Sequence, residues 1–314
     1  MDRLEIELRN GVRASGVIRR TPIRYACTFA AHVVLLFAAV ALAGWIDHAL
    51  WRFACAVAFA LAMVQIGYVG HDAEHGQVGS SFALKTACGL ACWNLLLGIS
   101  HEWWRDKHRR HHRETHVEGR DPDLYAIFGD NSPHNRRLLM WVAMALVRAY
   151  FQVASVVFLL KGGLSLRGGV ELALISVHHA LLWWGTWAVL GEGAPLFIAM
   201  GYVVVGLYIA SVFGTNHLGL PHPPAASAGR LWQAVHTRNI RTGRFGDYLW
   251  GGLNYQIEHH LFPGASRFRL RELAPIVRAF CRDHGIAYRE TGFIEAVREI
   301  HVAFGPRPMA GTRP

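Results

Sequence analysis

His71-Asp-Ala-Glu-His75, His108-Arg-Arg-His111-His112 and Gln256-Ile-Glu-His259-His260 are the three short stretches on which the reading of this 314-residue chain turns. On a helix, positions i, i+3 and i+4 share a face. His71 then points with His75, His108 with His111 and His112, and Gln256 with His259 and His260. Each stretch is a set of imidazoles on a rigid rod, and the fold must bring the rods together. A catalytic zinc takes about three protein ligands. Seven histidines are too many for one ion and suit two. Imidazole binds zinc, copper, iron and nickel alike, so ligand type leaves the metal open. The stretches lack the Glu-x-x-His pattern of carboxylate-bridged bundles. Asp72, Glu74 and Glu258 are therefore expected to orient the histidines rather than bind. A lone buried histidine is usually a satisfied core residue, but three clusters, two with adjacent histidines, are not explained by packing.

Outward from these stretches the chain is apolar. It is 52% hydrophobic and 17% charged. Nearly uncharged runs cover residues 25–46, 53–70, 170–190 and 194–214, the last two separated by Gly191-Glu-Gly193. A run of about 20 apolar residues spans a bilayer. The expected fold is an all-α integral membrane protein with four transmembrane helices in two hairpins. Residues 82–99, with Lys85 and Asn94, and 138–160, with Arg148 and Gln152, are expected as interfacial helices. Thr21-Pro22 marks the start of the first span. Residues 269–303 read as amphipathic helices of a cytoplasmic cap, turning at Asp283-His-Gly285.

Basic residues give orientation. Arginine and lysine crowd the N-terminus, the stretch from Arg105 to Arg137 and the C-terminal part from Arg230 to Arg269, while the short loops between paired spans hold almost none, Arg52 excepted. Positive charge marks the cytoplasmic side, so all three clusters are expected there. The net charge of +10 is accounted for by a basic face beside anionic lipid and calls for no nucleic acid. No signal peptide is expected. Cys27, Cys55, Cys88, Cys92 and Cys281 read as reduced packing residues. Residues 1–304 read as one domain and 305–314 as a disordered tail.

Isolated histidines are weighed separately. His217 follows the fourth run and sits level with the clusters, which makes it a candidate eighth imidazole. His116, four residues beyond His112, reads as an orienting or surface residue. His178 and His179 lie inside a span, where polar residues are functional candidates, although neighbouring Trp183 and Trp184 tolerate a neutral histidine. His236 falls in the polar crossing of residues 219–250, which contains Pro221, Pro223 and Pro224.

These residues resemble a known family, the membrane-bound fatty acid desaturases. The resemblance is carried by His-Asp-Ala-Glu-His at 71–75, Trp-Trp-Arg-Asp-Lys-His-Arg-Arg-His-His at 103–112 and Asn-Tyr-Gln-Ile-Glu-His-His-Leu-Phe-Pro at 254–263, and runs from roughly residue 25 to 300. It implies a mushroom-shaped protein with four spans and a cytoplasmic cap holding a non-haem di-iron centre. The ligands it implies are His71, His75, His108, His111, His112, His217, His259 and His260. Gln256 stands where stearoyl-CoA desaturases have histidine; glutamine there is usual in front-end and several bacterial acyl desaturases, and would be a weak ligand or hold a water. The fused cytochrome b5 motif His-Pro-Gly-Gly, frequent in front-end enzymes, does not occur. A separate electron donor of ferredoxin or cytochrome b5 type, with its reductase, is then implied.

The expected function is desaturation of an acyl chain, carried as acyl-lipid, acyl-CoA or acyl-carrier protein, with two irons and O2 in a bacterial cytoplasmic membrane. An unactivated methylene has no acidic proton, so acid–base chemistry alone cannot remove its hydrogen. The protein's task is to hold the metal and position the chain. Arg105, Lys107 and Arg238 are candidates to hold an anionic head group. The same motifs support hydroxylation, acetylenation and carotenoid or sphingolipid oxidation. A zinc membrane hydrolase and a metal transporter are rivals of other classes. Chain length, regiochemistry and carrier are not encoded legibly.

Overall fold

The computed structural model describes residues 3–117, 119–125, 137–163, 165–220 and 231–305. Its helices, in chain order, are α1 (Arg3–Ala14), α2 (Pro22–Ala43), α3 (Ala49–Glu74), α4 (Phe82–Gly89), α5 (His101–Arg113), α6 (Pro122–Tyr125), α7 (Arg137–Lys161), α8 (Leu166–Leu190), α9 (Ala194–His217), α10 (Leu231–Val235), α11 (Arg244–Leu249), α12 (Gln256–Leu261), α13 (Leu270–Asp283) and α14 (Phe293–Ala303). Two-residue strands β1 (Asn239–Ile240) and β2 (Glu290–Thr291) pair in parallel, the one departure from an all-α chain among the described residues. The proline-rich part of the 219–250 crossing and the tail beyond Gly305 lie outside the described residues.

Four helical stretches are long and apolar enough to cross a membrane: Pro22–Ala43, Ala49–Glu74, Leu138–Lys161 and Leu166–His217. The runs expected at 25–46 and 53–70 are α2 and α3, with Pro22 in the first turn of α2. The runs at 170–190 and 194–214 are α8 and α9, two arms of one 52-residue helical stretch broken by a 3-10 turn at Gly191–Gly193. Gly191 there adopts φ +52°, which a side chain would resist. The stretch at 138–160, expected to lie at the interface, also passes by length and composition. Arg148 and Gln152 dilute its apolarity too little to exclude it.

α3 is the central helix, packed against α2, α9 and the segment after α4. Its Phe59, Met63 and Ile66 join Phe197 and Val205 of α9 and Trp93 and Trp104 in one apolar core. Large apolar side chains point outward elsewhere: Phe37, Leu139, Val153, Leu181, Trp184 and Leu196 are all exposed. Exposed apolar surface on this scale is stable only against lipid or a partner. A second core joins Leu8 and Val12 of α1 to Ile257 and Leu261 of α12 and Leu273 and Val277 of α13. It anchors the third histidine stretch from behind.

After α4 the chain winds as a π-helix, Leu90–Leu97, and bends by 110° into α5. The close approach is permitted by Gly70 on α3, where a Cβ would lie 2.7 Å from the Trp93 indole nitrogen. α7 crosses α9 at Gly206, where a Cβ would meet the carbonyl oxygens of Ala145 and, at 2.7 Å, Met144. Backbone cannot give way as a side-chain tip can. Gly206→Leu is expected to force the two helices apart and destabilise the protein by about 1–3 kcal/mol or more. A melting temperature in detergent checks this, and an unchanged value would refute the tight crossing. All five cysteines are free; Cys55, Cys92 and Cys281 are buried as packing residues, Cys88 is half-buried and Cys27 is exposed.

Candidate metal centre

The three stretches meet at one end of the helices, and they meet in two groups. His71, His75, His108, His112 and His259 present ligand atoms within 4.8 Å of one another, and His111, His217 and His260 do the same. The split follows from helix geometry. His71 and His75 are four apart, as are His108 and His112, so each pair stays within about 40° on its helix. His111 lies about 60° to the other side of His108 and faces the second group. Gln256 and His260, also four apart, face that second group together, and His259 turns to the first. The rings of His112 and His260 are 4.5 Å apart at the seam.

The first group is a chain of nitrogens: His75 Nε2 is 2.8 Å from His108 Nε2, which is 3.1 Å from His112 Nε2, itself 3.2 Å from His259 Nε2. Four neutral imidazoles turning the same nitrogen inward cannot each find an acceptor. The Nε2 atoms of His71 and His260 are buried with no hydrogen-bond partner. Burial first, and then repulsion from the neighbouring imidazoles, holds His75, His108, His259 and His260 well below the usual histidine range. The rings are therefore kept neutral, the form that binds metal. Neutral bases converging on a small space in this way could hold metal. No carboxylate belongs to either group.

The outward nitrogens are held by the scaffold. His71 Nδ1 is 2.7 Å from Asp72 Oδ1, and the other oxygen of Asp72 accepts from the Tyr25 hydroxyl at 3.0 Å and faces Arg267. His111 Nδ1 lies 3.0 and 3.1 Å from the two oxygens of buried Asp121. Burial pushes the Asp121 carboxyl up, but His111 and the His116 amide together hold it below its ordinary value. Trp104 stacks on His108 at 4.5 Å and on Trp93 at 4.3 Å, fixing the second stretch against the π-helix. Of the three carboxylates expected to orient histidines, Asp72 does so. Glu74 instead faces His101 at 3.5 Å and Arg109. Glu258 touches no histidine of the groups: its oxygens accept from Asn239 and Tyr288, both at 2.8 Å, which ties α12 to β1. Burial lifts Glu258 to about 7. Asp121 was missed because it lies ten residues from His111, beyond helical spacing.

The isolated histidines sort clearly. His217, at the end of α9, joins the second group. Gln256 lies beside it, with Nε2 2.8 Å from His217 Nε2 and Oε1 accepting from Asn216 at 3.1 Å. His116 is not a surface residue. It is buried at φ +62°, with Nε2 3.2 Å from His217 Nδ1. His178 and His179 stand apart, and His236 packs on Trp232 at 4.9 Å. His101, which spacing did not single out, is buried next to Glu74.

Against both groups lies an apolar cavity of about 150 Å³. His108, His111 and His217 form one wall. Trp93, Leu97, Val147, Phe151, Ile209 and Phe213 form much of the rest. Lys107 reaches its edge, buried over the Phe151 ring at 5.1 Å and paired with Asp123. Burial lowers its pKa to about 8. Lys107 is thus the one of the three head-group candidates at the cavity. Arg105 pairs with Glu102 at 2.5 Å. Arg238 is fully buried, donates to the carbonyls of Thr215 and Leu218 and pairs with Glu299, so it clamps the end of α9 to α14.

Residues 49–292 match the profile of the family described as Fatty acid desaturase. The chain is 28% identical over 287 residues to the Delta(6)-fatty-acid desaturase of Caenorhabditis elegans, a match covering 79% of this chain and 63% of that protein. It is 27% identical over 340 residues to the Delta(5) fatty acid desaturase of the same organism, covering 94% and 73%. To the Acyl-lipid (9-3)-desaturase of Physcomitrium patens it is 28% identical over 306 residues, covering 87% of this chain and 57% of that one.

Proposed function

The chain belongs to the fatty acid desaturase family, and on that premise we propose that it introduces a double bond into an acyl chain, using O2 and two electrons. The observation that carries this reading is the contact between two groups of converging, neutral imidazoles and one apolar cavity. His71, His75, His108, His112 and His259 would hold one iron; His111, His217 and His260 would hold the other, with Gln256 beside His217 as a weak ligand or the holder of a water. Bound iron supplies the O2 activation that an unactivated C–H bond requires.

The protein's own residues do the positioning. The cavity wall excludes water and holds methylenes against His108, His111 and His217. Asp72 and Asp121 fix two rings through their outer nitrogens. Lys107 at the cavity edge is the candidate for an anionic head group. The carrier, be it acyl-lipid, acyl-CoA or acyl-carrier protein, would dock there, and a ferredoxin- or cytochrome b5-type protein would deliver electrons. The relative named an Acyl-lipid (9-3)-desaturase favours an acyl lipid.

Membrane placement follows the same reading. Gly44 after α2 lies against Val189 near the end of α8, and Arg52 of α3 lies against Gly193 before α9. Those ends share one level, and the histidines share the other. α7 has Met140, near its start, packed near Leu218 and Ile300, and Arg167, at the start of the following helix α8, pairs with Glu102 at the start of α5. The start of α7 and the start of α8 are therefore both at the histidine level. This supports spans at α2, α3, α8 and α9 in two hairpins, with α7 dipping from the histidine side to the middle of α9 at Gly206 rather than crossing, and with α1 and α10–α14 forming a cap. The arginine distribution puts that cap in the cytoplasm; a bacterial inner membrane is the proposed setting.

Fatty-acid methyl ester profiling of a host expressing the chain, with double-bond positions mapped, tests the proposal; a new unsaturated product that disappears without O2 is expected. Hydroxylated or acetylenic products would move the assignment within the family, and no change in any lipid would defeat it. Asp121→Asn is expected to weaken metal binding and activity about 10–100-fold by loosening His111. Iron content per chain at graded chelator concentration reads this directly.

A further inference from the structure

A second polar cluster lies away from the metal centre. Arg148 of α7 is 2% exposed, and all three of its guanidinium nitrogens are buried without a hydrogen-bond partner. No carboxylate pairs with it among the described residues. Its guanidinium stacks on the Tyr202 ring at 4.1 Å and lies 6.0 Å from the Phe59 ring. Around it are other polar groups. Gln152, one turn on, accepts from the Tyr202 hydroxyl at 2.9 Å and donates to the Leu97 carbonyl at 2.9 Å. His178 of α8 is buried; its Nδ1 meets the Leu95 carbonyl at 3.1 Å and its Nε2 has no partner. α7 and α8 converge on Gly98, at φ +70°, where a Cβ would lie 2.8 Å from His178 Nε2 and 2.9 Å from Gln152 Nε2.

A buried guanidinium is stable only when paired, and the ring and hydroxyl of the one Tyr202 cannot meet its five N–H groups. An ionisable side chain at membrane depth is by default a functional group awaiting a partner. That partner must be an anion, and the fork of N–H groups matches a carboxylate. It must also tolerate its surroundings. The outer faces of α7 and α8 carry exposed Val153, Val177 and Leu181, and half-buried His179 lies against His178 at 5.1 Å between the cluster and that surface. A hydrated inorganic ion would lose its water there, whereas an alkyl tail would stay in lipid.

We propose that Arg148, with Gln152, His178 and Tyr202, is a binding site for the carboxylate of a fatty acid entering sideways from the bilayer. The site goes beyond the desaturation reading and does not depend on metal.

Its test uses the purified chain in nanodiscs with palmitate and methyl palmitate, which differ only in the charge. Palmitate is expected to raise the melting temperature and the ester is not. Arg148→Gln should remove the difference, and Arg148→Lys should keep it with affinity about ten-fold weaker. Equal effects of acid and ester, or a preference retained in Arg148→Gln, would overturn the proposal. So would chloride alone producing the full stabilisation. Should Arg148→Gln not accumulate, 1-13C-palmitate on the wild-type chain decides. Its carboxyl carbon is expected to stay ionised to lower pH than in protein-free vesicles, and a coincident titration would end the idea. The preference should survive in His111→Ala, so failure here and failure of the metal reading are told apart.

Discussion

His111→Ala is expected to abolish the unsaturated product, to leave membrane insertion intact and to lose roughly half of the bound iron. His111 is one of only three imidazoles in its group, with ring centroids 4.8 Å from His217 and 5.1 Å from His260. The other group keeps all five of its histidines. Removal should therefore empty one position and spare its neighbour. Alanine also leaves the Asp121 carboxylate buried without its imidazole partner, which adds to the disturbance. Iron per chain, measured beside a lipid profile of the expressing host, checks both halves of the expectation. Full product with full iron would sink the assignment of these residues to the metal.

Ala210→Phe should give the opposite pattern, with iron retained and product lost or confined to shorter chains. Ala210 lines the cavity on α9, about two turns from His217. A phenyl ring there would project into the cavity of about 150 Å³. Binding of the acyl chain depends on this volume, and holding the metal does not. An unchanged product distribution in a variant of unchanged melting temperature would show that the chain binds elsewhere. The two variants together separate the metal centre from the space that presents the substrate to it.

Much of this was open to reading from sequence for a simple reason. A long apolar run has few ways to satisfy its backbone in lipid, so α2, α3, α8 and α9 start and stop within a few residues of the runs that announce them. α7 was harder. Its 25 residues carry a spanning helix's apolarity, and only its packing, from Met140 near Ile300 to the middle of α9 at Gly206, argues against a full crossing. Glu258 and Arg238 show the limit from another side. Each sits in a sequence context that suggests a role at the site, yet each is taken up by bonds to distant backbone and side chains that no local pattern encodes.

Local pattern is enough for the supply of parts: which residues are helical, which apolar, and which eight imidazoles with one glutamine are offered on helix faces at one end of the spans. The period of the helix is a local property, and spacing reports it directly. Only the tertiary structure decided the partition of those imidazoles into five and three, the recruitment of Asp121 and His116, the cavity laid against them and the solitary guanidinium of Arg148. Those depend on the angles at which helices cross, and a crossing angle is set by side chains from segments far apart in the chain.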